Sequence, residues 1–403
     1  MKQKKILLLG GSSQQVTAIE KAKKRGYYTV LCDYLLDNPG QLIADKFYPV
    51  STTDKESILR IAKEENVSGI VAYSSDPAAP TAAYVAEKLD LPGISYDIAK
   101  CFCEKHLFRK FLKLNGFNVP SSIKIDKNSN VESISQLELP IIIKPTDSSG
   151  SKGVNVIYNR EQFETAKMEA LKFSRNNILI AEEFIERNHP DVIEAEIFVV
   201  NGEVKIWGLI NSIRDKNTNP LLPAAYSYPL NISNSYKKIV RGEICRLIGC
   251  SKIKFGAFNI EMIISKSNKL YFLDAGPRNG GNMLPEFISE ISRNDLTMAT
   301  ICAAMGDYQA LQNLELDGEN GGYWGLSVLH ATKSGIFKGT DYTHDAKKCL
   351  YKEHFFIGKG EKVNCFNTSR DAIGLAFFHF PDKTLRNQVL NDFNNQYIKV
   401  IVE

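Results

Sequence analysis

Two acids stand out by their setting. Glu261 lies in the mostly apolar run Gly256-Ala257-Phe258-Asn259-Ile260-Glu261-Met262-Ile263-Ile264. Asp274 closes the run Leu270-Tyr271-Phe272-Leu273. The polar stretch Lys266-Ser267-Asn268 between the runs predicts a hairpin, which brings both carboxylates near the ends of adjacent antiparallel strands. An acid in a buried strand needs a partner. Hard oxygen ligands of this kind suit Mg2+, which is held by one or two carboxylates together with phosphates and water. The plain alternative is a surface hairpin with unrelated acids. Arg278 follows in Asp274-Ala275-Gly276-Pro277-Arg278, and its charge suits a phosphoryl group or a carboxylate.

Two more pieces carry related chemistry. Ile141-Ile142-Ile143-Lys144-Pro145 reads as a buried strand that delivers Lys144. The loop after it is built of small residues, among them Ser149, Gly150, Ser151 and Gly153. Small residues let backbone amides approach phosphate oxygens, and lysines neutralise the charge. GxxxxGK[ST] is absent, so this is not a Walker A loop. It is either a flexible hairpin over a triphosphate or an ordinary hairpin with a solvated Lys152. The run Ile178-Leu179-Ile180-Ala181 ends in Glu182-Glu183-Phe184-Ile185. An adenine needs one acceptor for its amino group and one backbone N–H for a ring nitrogen, and a connector between two lobes supplies both. Solvated glutamates at a strand end are the other reading.

The elements that must position these residues follow from periodicity. Strand-like runs at Lys5–Leu9, Tyr28–Cys32 and Gly69–Ala72 alternate with helical patterns at Gln15–Lys24, Ser57–Glu65 and Thr81–Leu89. This order implies a doubly wound parallel sheet. The first turn, Gly10-Gly11-Ser12-Ser13-Gln14, lacks GxGxxG, which disfavours a nicotinamide or flavin site. One helix is expected from Ile98 to Asn115, stopped by Gly116. A polar linker runs from Ser121 to Glu138. Strands are expected at Glu194–Val200 and Glu203–Ile210, a helix at Ser235–Leu247, and a β-rich tail from Gly322.

Composition narrows the classes. The chain has 403 residues, too many for one ordinary core, which suggests two or three domains at roughly 150 residues each. Lys and Arg exceed Asp and Glu by only 50 − 46 = +4, which argues against nucleic acid as the main partner. The apolar start Ile6-Leu7-Leu8-Leu9 is too short for a signal peptide. The longest charge-free stretch, Asn217–Tyr236, contains Pro220, Pro223 and Pro229 and reads as a loop, so no membrane span is expected. Eight cysteines without a CxxC pair suggest reduced thiols and a cytoplasmic protein.

The order of these pieces resembles the ATP-grasp superfamily, of the carboxylate–amine ligase type seen in biotin-carboxylase-like and amino-acid-ligase-like members. The resemblance covers residues 1 to about 330, and the tail looks like the β domain attached to such members. It implies an α/β fold in three parts: a doubly wound domain over 1–97, an ATP-grasp domain over 98–321 with a phosphate-loop lobe at about 121–186, and a β-rich domain over 322–403. It also implies residue roles. Lys105 and Lys144 match the phosphate lysines, and Ser149 to Gly153 match the closing loop. Glu182 matches the adenine amino acceptor. Glu183 and Ile185 lend backbone groups, and Phe184 supports the connector. Glu194 matches the ribose acceptor, with Glu196 as rival. Glu261 and Asp274 match the metal ligands, and Arg278 the arginine that faces an acyl phosphate.

The chemistry implied is attack of a carboxylate on the γ-phosphate of ATP, with two Mg2+ ions, or Mn2+ in their place. An amine then displaces phosphate from the acyl phosphate. The partners implied are small-molecule carboxylates and amines such as amino acids, peptides or sugar acids, and a homodimer is the common prior. Arg214, in the polar loop Asn211–Tyr228, is either a holder of the substrate carboxylate or a surface residue. The departures are Asp rather than Glu at 274 and Gly276 where many members carry Asn as a metal ligand; Asn259, Asn279 and Asn282 are the candidates to compensate. Gly276 also keeps a second class open: a nucleotide-binding regulatory or assembly protein with little turnover.

Overall fold

The computed structural model describes residues 3–148, 150–215, 217–317, 321–392 and 396–403. Strands β1 (Lys5–Leu9), β2 (Tyr28–Cys32), β3 (Lys46–Tyr48) and β4 (Gly69–Val71) form a parallel sheet in the order β3-β2-β1-β4. Helix α1 (Val16–Lys24) joins β1 to β2, α2 (Lys55–Glu65) joins β3 to β4, and α3 (Ala79–Lys88) follows β4. The unbroken apolar run Ile6–Leu9 is buried throughout, as a parallel strand covered on both faces requires. Strand order reverses between β1 and β4, the place where such sheets leave a crevice at their carboxyl ends. Gln15 closes the base of that crevice, donating from Nε2 to the Tyr73 carbonyl at 2.8 Å.

The single helix expected over Ile98–Asn115 is two: α4 (Tyr96–Cys103) and α5 (Lys105–Leu114). Glu104 between them is extended, and the Lys105 amide donates to the Thr146 carbonyl at 2.9 Å. No Pro or Gly marks the break. A tertiary bond made it, and it puts Lys105 on the first turn of α5.

Strands β5 (Ser122–Asp126), β6 (Ile141–Pro145), β7 (Asn155–Ile157) and, after α6 (Phe163–Leu171), β8 (Ile178–Glu183) form an antiparallel lobe in the order β5-β8-β6-β7. Its core of Ile125, Ile141, Ile143, Ile157, Phe163 and Leu179 is its own.

The main sheet begins with β9 (Val192–Val200), β10 (Glu203–Arg214) and β11 (Pro223–Tyr228). It continues past α7 (Asn234–Ser251) with β12 (Phe255–Ile264) and β13 (Leu270–Gly276). Helices α8 (Leu284–Ser292) and α9 (Leu296–Ala304) follow. The tail then gives β14 (Tyr323–Leu329), β15 (Gly335–Tyr342), β16 (Leu350–Phe355), β17 (Lys362–Val363), β18 (Gly374–Phe380) and β19 (Ile398–Val402). The tail is not a sheet apart. Its β14, β18 and β16 extend the main sheet to eight strands, β13-β12-β9-β10-β11-β14-β18-β16, through the β11–β14 pairing.

Strand β9 is buried at every position. Its odd-numbered residues, Ile193 to Val199, pack with Val240 and Ile244 of α7. On the other face Phe198 packs with Phe287 and Ile288 of α8, while Glu194 and Glu196 make the same face polar farther along. That change of character marks where the sheet stops being core and becomes the floor of a site.

Candidate functional site

A cleft of 1580 Å³ opens between the lobe, the main sheet, the crevice of the first domain and part of the tail. The strand register explains which side chains reach its floor. Glu261 of β12 is paired with Asp274 of β13 on one side and with Glu194 of β9 on the other. Asn259, two residues back and on the same face, is paired with Gly276 and Glu196. The predicted hairpin thus delivers Glu261 and Asp274 together, and both line the cleft.

Cations face these acids. Lys105 Nζ lies 3.2 Å from Asp274 Oδ2 and 2.9 Å from the Ser148 carbonyl. Burial raises the Asp274 carboxyl, but Lys105 and Lys144 outweigh it and hold it below the usual range. Arg214 Nη2 lies 3.4 Å from Glu261 Oε1, and its Nη1 is buried with no hydrogen-bond partner among the described residues. Glu194 is pushed up by burial first and by the nearby Glu261 second; its Oε1 accepts from Asn259 Nδ2 at 2.9 Å and its Oε2 has no partner among the described residues. Glu196, fully buried, accepts from the Gly280 amide at 2.8 Å. Burial pushes its carboxyl up to about 8.

Glu182 does not offer its carboxylate freely to a base. Arg109 Nε and Nη2 donate to it at 3.0 and 3.2 Å, and Lys144 pairs with it as well. Burial alone would raise its pKa, yet the two cations bring it down to about 2. Burial pushes the Lys144 ammonium down, with Glu182 opposing. Beyond β8 the Phe184 amide is spent on the Pro140 carbonyl at 2.9 Å, while the Ile185 amide has no partner among the described residues. The half-exposed Phe184 ring also lines the cleft.

Ser149 lies outside the described residues. The flanking loop is in place over the cleft. Gly150, Ser151 and Gly153 take φ of +64°, +56° and +71°, and Ser151 Oγ donates to the Leu221 carbonyl at 2.8 Å. Arg278 is mostly buried and bound in a fork by Asp76 of the first domain, Nε to Oδ1 at 2.7 Å and Nη2 to Oδ2 at 2.6 Å.

Two residues of this site were missed by sequence reasoning. Arg109 is one turn of α5 beyond Lys105, so the i, i+4 spacing of two cations on one helix face was the available signal. Asp76 carried no signal, because its partner is distant in sequence. Of the three amides proposed to replace the missing metal ligand, Asn279 has its Oδ1 taken by Thr300, whereas Asn259 and Asn282 are bonded through Nδ2. Asn259 serves Glu194 and Glu196, Asn279 faces Glu196 and Thr300, and Asn282 donates to Tyr226. His330 is structural: Nε2 sits 3.1 Å from Asp215 Oδ2 and the ring stacks on Phe366.

The paired carboxylates of Glu261 and Asp274 fit Mg2+, whose remaining positions go to phosphate and water. Among the described residues no group of three or more His, Cys, Asp or Glu side chains is arranged around a metal position. No helix of the described residues is long and apolar enough to cross a membrane.

Residues 104–280 match the family described as the carbamoyl-phosphate synthase L chain, ATP-binding domain. A carbamoyl phosphate synthase large chain from Pseudothermotoga lettingae is 25% identical over 300 residues, covering 69% of this chain but 26% of the relative. The chain thus spans about a quarter of the length of that relative. A formate-dependent phosphoribosylglycinamide formyltransferase from Bacteroides thetaiotaomicron is 23% identical over 282 residues, 68% of this chain and 70% of the relative. The fold of an L-amino acid ligase from Bacillus licheniformis superposes over 100% of both chains with a TM-score of 0.81 at 18% identity. The stretch from Glu104 to Gly280 is thus similar to that ATP-binding domain, and the fold of the whole chain is similar to that of the ligase.

Proposed function

We propose that this protein is an ATP-dependent ligase that activates a small-molecule carboxylate as an acyl phosphate and joins it to an amine, releasing ADP and phosphate. One observation carries the reading: Lys105, Lys144, Glu261, Asp274 and Arg278, from four separate segments, line one cleft whose rim holds the Ile185 amide, unpartnered among the described residues.

Each residue of the cleft has a role in this reading. The adenine lies at the connector, its ring nitrogen on the Ile185 amide and its amino group on the Glu183 carbonyl, with Phe184 against it. Glu182 is not the amino acceptor in this reading, since Arg109 and Lys144 take its oxygens; it holds those cations beside the phosphates. Glu194, with one oxygen free, takes the ribose hydroxyls. Lys105 and Lys144 neutralise the phosphates, and the Gly150–Gly153 loop covers them. Glu261 and Asp274 would hold Mg2+, which supplies charge neutralisation on the transferring phosphoryl group; two ions, or Mn2+, are the fuller version of this proposal. Arg278 stabilises the acyl phosphate and Arg214 orients the carboxylate. Phosphoryl transfer needs little more from a protein than such positioning and charge. The amine then attacks the acyl carbon, the C–O bond to phosphate breaks, and the amine loses its proton.

The similarity to an amino acid ligase fold supports an amino acid as one substrate. A cytoplasmic homodimer is the setting proposed.

The test is ATP turnover with Mg2+ against a matrix of carboxylates and amines, identifying the nucleotide product. Substrate-dependent ADP and phosphate are expected. AMP and pyrophosphate would mean adenylation and sink the acyl phosphate. MgATP binding with no turnover across the matrix would favour the regulatory reading.

A further inference from the structure

The loop leaving β13 is seated between acids from two other elements, and two glycines make the room. A Cβ on Gly276 would fall 2.6 Å from Asp76 Oδ1 and 2.8 Å from Arg278 Cζ. A Cβ on Gly280 would fall 2.7 Å from Glu196 Oε2. Asp76 comes from the loop after β4 of the first domain, and its neighbour Ser74 donates from Oγ to the Gly280 carbonyl at 2.7 Å. Arg278 has five N–H groups. Nε and Nη2 each give one to Asp76, and Nη1 gives one to the Asn279 carbonyl at 3.0 Å. One N–H remains on each Nη, enough for a two-point grip on an oxyanion in the cleft that Arg278 lines.

We propose that Asp76 is a positioning residue for Arg278, and that position 276 is glycine in order to admit their pair. The inference rests on the ligase reading of Arg278 given above. The space a side-chain amide at 276 would need is filled by the Asp76 carboxylate and the Arg278 guanidinium. Orientation of the arginine is therefore assigned to the first domain. This bidentate bond couples the crevice of that domain to the reacting centre.

The test is a double-mutant cycle of Asp76→Asn and Gly276→Ala. One readout is affinity for inorganic phosphate in the presence of MgADP, by calorimetry. Another is the split of kcat from the KM for ATP. Each single variant is expected to weaken phosphate binding and to lower kcat about tenfold, with the KM for ATP within about twofold. The double variant is expected to be no worse than the worse single, since both changes remove one interaction. Arg278→Lys, which cannot fork, is expected to match Asp76→Asn. Losses that add, or a lowered melting temperature with phosphate affinity intact, would overturn the proposal. Failure of the ligase reading looks different. The wild type would then bind MgADP and phosphate without turnover, and the phosphate cycle alone would still decide the role of Asp76. If MgADP does not bind, the same titration on the protein alone decides it.

Discussion

Arg109 holds both oxygens of Glu182, Nε to Oε2 at 3.0 Å and Nη2 to Oε1 at 3.2 Å, inside a cluster that Lys144 completes. All three side chains are buried. Two cations on one anion leave positive charge beside the place assigned to phosphates, and Arg109 Nη1 has no partner among the described residues. Removing one member of a buried pair costs about 3–5 kcal/mol, because the other charge stays behind. Arg109→Ala is therefore expected to lower the urea midpoint of unfolding clearly. Arg109→Lys, with fewer donors, should fall between. An unchanged midpoint for Arg109→Ala would show that the pair contributes nothing.

The same cluster predicts an acid limb. Glu182 ordinarily titrates at 4.5; burial would raise it, but Arg109 and Lys144 bring it down to about 2. A depressed folded pKa contributes stability that is present above the unfolded value and lost as pH falls through the folded one. The window is thus roughly pH 4.5 down to 2. Unfolding free energy measured across it should fall less steeply in Glu182→Gln, even though that variant is weaker at neutral pH.

Glu196 works the other way. Burial raises its carboxyl from 4.5 to about 8, against the pull of Arg278 and the Gly280 amide. A raised folded pKa contributes stability below the unfolded value that is lost as pH rises through the folded one. Wild-type stability should decline between pH 4.5 and 8 from this source. Glu196→Gln keeps the Gly280 contact without the charge and should flatten that decline. Equal slopes in both proteins would mean that Glu196 is ionised and compensated in the fold.

Much of this was legible in the residues themselves. The Glu261 and Asp274 hairpin followed from two apolar runs and a polar turn, because register on a buried face is fixed by that pattern. Lys144 at the end of β6 followed in the same way. What was not legible depended on partners far apart in sequence. The break at Glu104 that places Lys105 is made by the Thr146 carbonyl. The fate of Glu182 depends on Arg109, and that of Arg278 on Asp76. The extension of the main sheet by the tail rests on the β11–β14 pairing, which has no local signature.

Arg214 makes the next prediction. Its side chain is 8% exposed, one Nη is 3.4 Å from Glu261, and the other has no partner among the described residues. A buried guanidinium edge with nothing to bind is suited to a substrate carboxylate, and a hydrogen bond to a charged group contributes about 1.5–3 kcal/mol. Arg214→Ala should raise the KM for the carboxylate substrate by roughly ten- to a hundredfold, with MgATP affinity changed much less. If nucleotide affinity falls by the same factor, Arg214 serves the phosphates instead.

The loop between β6 and β7 should govern water. Ser151 Oγ reaches the Leu221 carbonyl at 2.8 Å on the loop after β10, and a Cβ on Gly150 would lie 2.6 Å from Ser369 Oγ of the tail. The loop is therefore bonded to one element outside its own lobe and lies close against another. An acyl phosphate is easily hydrolysed, and a closed site protects such intermediates. Gly150→Ala suffers twice: its φ of +64° disfavours a side chain, and the added methyl meets Ser369. The variant is expected to release more ADP than ligated product, while the wild type releases the two one for one. The ratio, measured by coupled ADP assay and product chromatography, reads the leak directly. A ratio that stays at one while both rates fall would show that the loop positions the phosphates without keeping water out.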